Sequence, residues 1–159
     1  MKITLIAVGK IKEKFFQDAV KEYEKRLGRY CRLEILEVAD EKTPDGAGEA
    51  LKNQIKEKEG QRILARVREE AYVIALAIQG EMIDSEELAG KMGKLSVDGV
   101  SQIIFVIGGS LGLSGQVLDR ADFHLSFSRM TFPHQLMRVI LLEQVYRAYR
   151  ILNRQPYHK

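Results

Sequence analysis

The sequence predicts an α/β fold, a mostly parallel sheet with helices on both faces. Ile103–Ile107 is apolar throughout and rich in β-branched side chains, the composition of a strand buried on both faces. Ile3–Val8 and Tyr72–Ile78 have the same character. Segments with apolar residues at three- and four-residue spacing alternate with these runs, as the crossovers between parallel strands require.

The elements follow in order. Ile3–Val8 is the first strand and ends at Gly9. Glu13–Leu27 is a helix with Phe16, Val20, Tyr23 and Leu27 on its buried stripe, closed by Gly28. Lys10, Lys12, Lys14, Lys21 and Lys25 make this region basic, either a solvated face or a surface for phosphate. Leu33–Val38 is a strand whose charged Glu34 and Glu37 give it a less buried place. Asp40–Gly48 is a polar loop, and Glu49–Gly60 a charged helix. Gly60 is expected to break that helix, with Arg62–Arg68 a separate helical segment. Tyr72–Ile78 is the third strand, and Ser85–Leu95 a helix for which Ser85 can serve as cap. After Ile103–Ile107 come a glycine-rich loop, a short helix Gly115–Arg120 and a brief strand His124–Phe127. A long helix, His134–Leu152, and the tail Asn153–Lys159 complete the chain.

At 159 residues the chain forms one domain, 1–159, with room for one good core. It is 45% apolar and 30% charged, an ordinary globular composition, and its net charge of +3 permits a nucleic-acid partner without requiring one. Cys31 is the only cysteine, so no intrachain disulfide and no thiolate zinc site can form, which fits a reducing cytoplasm. No stretch approaches the length of a membrane span, and the start MKITLIAVGK lacks the features of a signal peptide.

The glycine loop carries the first functional signal. Gly108, Gly109, Gly112 and Gly115 follow a strand end, where open α/β sheets bind ligands. The loop reads either as a cofactor rim or as a turn leading into a helix. GGSLGLSG has neither the spacing of a dinucleotide fingerprint nor the Lys-Ser/Thr pair of a nucleotide P-loop. The only histidines, His124, His134 and His158, match no metal-ligand spacing, so no metal is expected, and His124 reads as structural. On the last helix, Leu136, Met137, Ile140, Leu141, Val145, Tyr149 and Leu152 form an apolar surface wider than one sheet face needs, pointing to a subunit contact. Arg147, Arg150 and Arg154 make a basic stripe beside the tail Pro156-Tyr157-His158-Lys159. The stripe reads as a solvated face or as cations for phosphate beside aromatics that stack on bases.

FVIGGSLGLS and HLSFSRMTFPHQLMRVILLEQVYRAYRILNRQPYHK, together with the VGK at Val8–Lys10, resemble the ribosomal RNA large subunit methyltransferase H family over the whole chain. The resemblance implies a SPOUT-class α/β methyltransferase with a carboxyl-terminal trefoil knot. General topology rules argue against a knot, so this expectation comes from the resemblance alone. It further implies a homodimer that uses S-adenosylmethionine to methylate N3 of a pseudouridine in 23S ribosomal RNA, at position 1915 in helix 69 of the assembled 70S ribosome. Carried over by residue, the family's cofactor pocket falls on Leu76, Gly108, Phe127, Ser128, Arg129, Met130, Thr131 and Phe132.

Methylating a weakly acidic N–H requires that a proton leave and that the resulting anion be stabilised. The candidates are Arg154, Tyr157, His158 and Arg138, with the roles of base and clamp left open among them. His158 has the ordinary pKa closest to neutrality. In a dimer the tail could reach the partner's cofactor. A non-catalytic ribosome-binding protein and a small-molecule methyltransferase are the rival readings.

Overall fold

A computed structural model describes residues 1–159. The strands are β1 (Lys2–Val8), β2 (Arg32–Val38), β3 (Tyr72–Met82), β4 (Gln102–Ile107) and β5 (Phe123–Ser126). The helices are α1 (Lys14–Leu27), α2 (Glu49–Leu64), α3 (Ser85–Val97), α4 (Gly115–Arg120) and α5 (His134–Leu152). All strand pairs are parallel, in the order β2-β1-β4-β3-β5.

Side chains alternate across a strand, so each buried strand supplies two cores. Ile3, Leu5 and Ala7 of β1, with Ile103, Phe105 and Ile107 of β4, face α1, α3 and α5. Ile6, Val8, Ile104 and Val106 face Ile63 of α2 and Val117 of α4. Every residue of β4 is buried, as its unbroken apolar run predicts. The alternating β2 lies at the sheet edge.

Four details differ from the sequence expectation. α2 runs through Gly60 to Leu64 without a break. Gly60 is a packing contact, since a β-carbon there would run into the Ser114 side chain and come within 3.2 Å of Val117 Cγ2. The glycine lets α2 lie close against the start of α4. β3 continues past Ile78 to Met82, changing register against β5 between Leu76 and Glu81. Gly80 makes this possible, for a β-carbon there would lie 2.7 Å from the His124 carbonyl.

The cap of α3 is Asp84 rather than Ser85. Its carboxylate accepts from Glu87 N–H and the Glu87 carboxylate accepts from Asp84 N–H, each at 2.7 Å. Such a capping box is worth about 1 kcal/mol. Much of the broad apolar surface of α5 is consumed within the chain. Leu141, Leu142, Val145 and Ala148 are core residues, and Met137 packs against them. Leu136 and Ile140, half-buried, and Leu152, exposed, are left outside that core. No helix is long and apolar enough to cross a membrane.

Candidate functional site

β3 and β4 pair from Tyr72↔Ile103 to Ala75↔Val106 and then part. β3 goes on along β5, while β4 ends at Ile107 and enters the glycine loop. The separation opens a crevice of about 800 Å³ at the carboxyl ends of the strands. That is the size and place expected of a small-molecule site in an open α/β sheet.

Three rims meet there. Leu76, Ala77, Ile78 and Gln79 come from β3, and residues 107–113 from the end of β4 and its loop. The third rim contains Phe127, Ser128, Met130, Thr131 and Phe132. Seven of the eight sequence-predicted cofactor residues thus border one crevice. The eighth, Arg129, is exposed and does not line it. Ser128 organises its loop locally. Its carbonyl accepts from Ser126 Oγ at 3.1 Å, and its hydroxyl accepts from Met130 N–H at 3.0 Å.

Gly108 has a reason internal to the loop. A β-carbon there would lie 2.8 Å from the Gly112 carbonyl carbon and 3.0 Å from Leu113 Cδ2. The loop folds back on itself through Gly112 N–H to Gly109 O, 3.1 Å, with Gly112 at a φ of +89°. Gly109 lies against Glu59, a buried acid of α2. Glu59 Oε2 accepts from Glu41 N–H at 2.9 Å, and Oε1 has no partner. Burial pushes this carboxyl above its usual range.

The four residues proposed for chemistry fall in two places, neither of them on the crevice wall. Arg138 is enclosed beneath the start of α5. It donates to Gly9 O at 2.7 Å and pairs with Glu37, tying α5 to the ends of β1 and β2. The tail turns back at a defined helix terminus. Arg154 N–H donates to Ile151 O at 3.0 Å and Gln155 N–H to Arg150 O at 2.9 Å, a Schellman motif. Arg154 holds its left-handed position, φ +54°, which glycine usually fills, and its side chain is exposed.

Beyond this turn the tail packs on α5. The Tyr157 ring meets the Tyr146 ring edge-on at 5.0 Å and lies under the Arg147 guanidinium at 4.7 Å. Its hydroxyl donates to Glu143 at 3.3 Å, and burial followed by the Glu143 charge raises its pKa, so the phenol stays protonated. Arg147 also donates to Glu143, Nη2 to Oε2 at 2.9 Å, and its Nη1 lies 3.2 Å from His158 Nδ1. Arginine only donates, so His158 Nδ1 is the acceptor and Nε2 carries the proton, 3.6 Å from Glu86. Glu143 is the centre of this cluster. In the sequence it reads only as an ordinary i,i+4 partner of Arg147. His124 is structural, with Nε2 2.7 Å from the Leu118 carbonyl.

An all-parallel sheet whose crevice lies between the outer part of β3 and two strand-end loops defines a class of small-ligand α/β protein. The model of the family described as "Predicted SPOUT methyltransferase" matches residues 1–158. The chain is 63% identical to the protein named Ribosomal RNA large subunit methyltransferase H of Bifidobacterium adolescentis. It is 62% identical to the protein of that name from Clostridium novyi and 57% to that from Clostridium kluyveri. Each alignment covers all of both chains. The chain belongs to the ribosomal RNA large subunit methyltransferase H family of SPOUT methyltransferases.

Proposed function

We propose that this protein is a cytoplasmic, S-adenosylmethionine-dependent methyltransferase acting on N3 of pseudouridine 1915 in helix 69 of 23S ribosomal RNA, within the assembled 70S ribosome. The observation that carries the cofactor half is the convergence of Leu76, the glycine loop and Phe127–Phe132 on one crevice. Leu76, Ile78, Phe127 and Phe132 offer apolar walls for a flat nucleoside, and the glycine loop brings backbone close to it. When bound, S-adenosylmethionine supplies a methyl group on a sulfonium for in-line transfer. The residues around it orient the donor and exclude water.

The acceptor half belongs to the tail. Arg154 holds the anion that develops on the base. Tyr157, a neutral phenol, contacts the base by stacking or through its hydroxyl. His158 Nδ1 takes the N3 proton once it leaves Arg147, and Arg138 positions the start of α5 beside the crevice. No tail residue lines the crevice of its own chain. The reading therefore includes a homodimer in which one chain's tail completes the site of the other. It also includes the trefoil knot of the family, formed by the segments around the crevice.

The 159-residue chain is only mildly basic, with a net charge of +3. Recognition then rests on a shaped partner offering several contacts. The test compares methyl incorporation into an isolated hairpin, the large subunit and the complete ribosome. The complete ribosome should be the fastest substrate by at least about ten-fold. Equal rates on all three would refute recognition of the assembled particle, and absence of S-adenosylmethionine binding would refute the enzyme.

A further inference from the structure

We propose that Lys56 and His134, entering the crevice from its two sides, hold the carboxylate of the cofactor's amino-acid end. The assignment rests on the cofactor reading above. Among the side chains that line the crevice, only these two can ionise. Lys56 enters from α2 and His134 from α5, on opposite faces of the sheet. The rest of the lining is apolar, hydroxyl, amide or backbone, which suits a nucleoside but cannot neutralise a carboxylate.

Both groups are unspent. On the same helix, Lys52 pairs with Glu49 and Lys58 with Glu41. Lys56 lies half-buried between them and has neither an ion pair nor a hydrogen bond within the chain. The His134 side chain makes no hydrogen bond, and its Nδ1 is sealed from solvent without a partner. Nε2 is the ring nitrogen that is neither sealed nor bonded, and so the one left to reach a ligand.

The protonation state of His134 follows from its surroundings. Burial, and next the charge of Arg138, push its pKa below the usual value, while Asp40 and Glu13 oppose them. The ring packs over the exit of β1, with Cε1 3.7 Å from where a Gly9 side chain would begin. A neutral imidazole carries one N–H, and a sealed lone pair costs less than a sealed donor. The proton therefore sits on Nε2, which donates. An N–H donor and an unpaired ammonium suit a carboxylate as partner.

Two ligands separate the halves of the cofactor in titration calorimetry. S-adenosylhomocysteine has the amino-acid end, and 5′-methylthioadenosine lacks it. Lys56→Met and His134→Ala should each weaken S-adenosylhomocysteine by about ten-fold and 5′-methylthioadenosine by no more than about two-fold. His134→Gln, which keeps a donor, should recover the lost affinity to within about three-fold of wild type. Thermal unfolding checks each variant, and the glutamine and methionine variants carry the test if the alanine variant does not fold. Equal losses for the two ligands, or no loss for either, would overturn the assignment. Wild-type protein that binds both ligands equally would overturn this proposal alone, and wild-type protein that binds neither would overturn the cofactor reading as well.

Discussion

The crevice and the carboxyl-terminal tail differ in what each needs from outside the chain. The crevice is complete within one chain. Its three rims are strand exits fixed by a buried sheet, and its glycines are required by contacts inside the loop. The tail is also packed, but on the far part of α5, with Tyr157 and His158 tied to Glu143 and Arg147 and absent from the crevice wall. If the crevice holds the methyl donor and the tail serves the acceptor, as proposed, a second copy brings them together most economically.

Variants that touch only one region sharpen this contrast. Truncation after Gln155 has the largest expected effect on activity. Ribosome methylation should fall at least about 100-fold, while affinity for S-adenosylmethionine stays within about three-fold. The lost packing of Tyr157 on Tyr146 costs about 1 kcal/mol, visible as a small drop in Tm. Methylation near the full-length rate would remove the tail from the chemistry.

Gly108→Ala attacks the other region. Its β-carbon meets the backbone of Gly112, so the loop must open and cofactor affinity should fall by about ten-fold or more. The overpacking costs about 1–3 kcal/mol of stability. Unchanged calorimetric affinity would show that the loop conformation does not serve the cofactor.

Arg154→Gly has the smallest effect on the fold and separates geometry from charge. Glycine suits the left-handed position, so the helix terminus should be as stable as wild type or up to about 1 kcal/mol more stable. Methylation should nevertheless drop by about ten-fold or more, because the guanidinium is gone. Full activity with raised Tm would make Arg154 a helix terminus and nothing else.

Local patterns in the sequence foretold the fold well where one face of each element decides its structure. The apolar runs of β1 and β4 and the charged alternation of β2 gave both sheet position and burial, because period and solvent exposure are linked in a strand. Long-range contacts were not legible. Gly60 reads as a helix breaker until Ser114 is seen against it, and the third strand reads as ending at Ile78 until Gly80 is seen against the β5 backbone. Much of the apolar stripe of α5 looked like surface because nothing local shows that α1 and α3 both pack on Leu141, Val145 and their neighbours.

The candidate site divides in the same way. Gly108 and the Phe127–Phe132 loop were legible as loops beyond strand ends and through family resemblance. Lys56 carried no signal, since it looks like any lysine of a charged helix until its neighbours are seen to be paired and it is not. His134 was one of three histidines of no distinctive spacing, and its orphaned nitrogen exists only in three dimensions.

The most direct measurement mixes two impaired proteins at a cofactor concentration too low to fill the Gly108→Ala crevice. Gly108→Ala has a defective crevice and an intact tail, and the chain truncated after Gln155 has the reverse. After subunit exchange at equal concentrations about half the dimers are mixed, each with one complete crevice–tail pair. Ribosome methylation by the mixture should then rise to about a quarter of the wild-type rate, far above either variant alone. A mixture no more active than its components, with mixed dimers demonstrated by mass, would contradict a site shared between subunits.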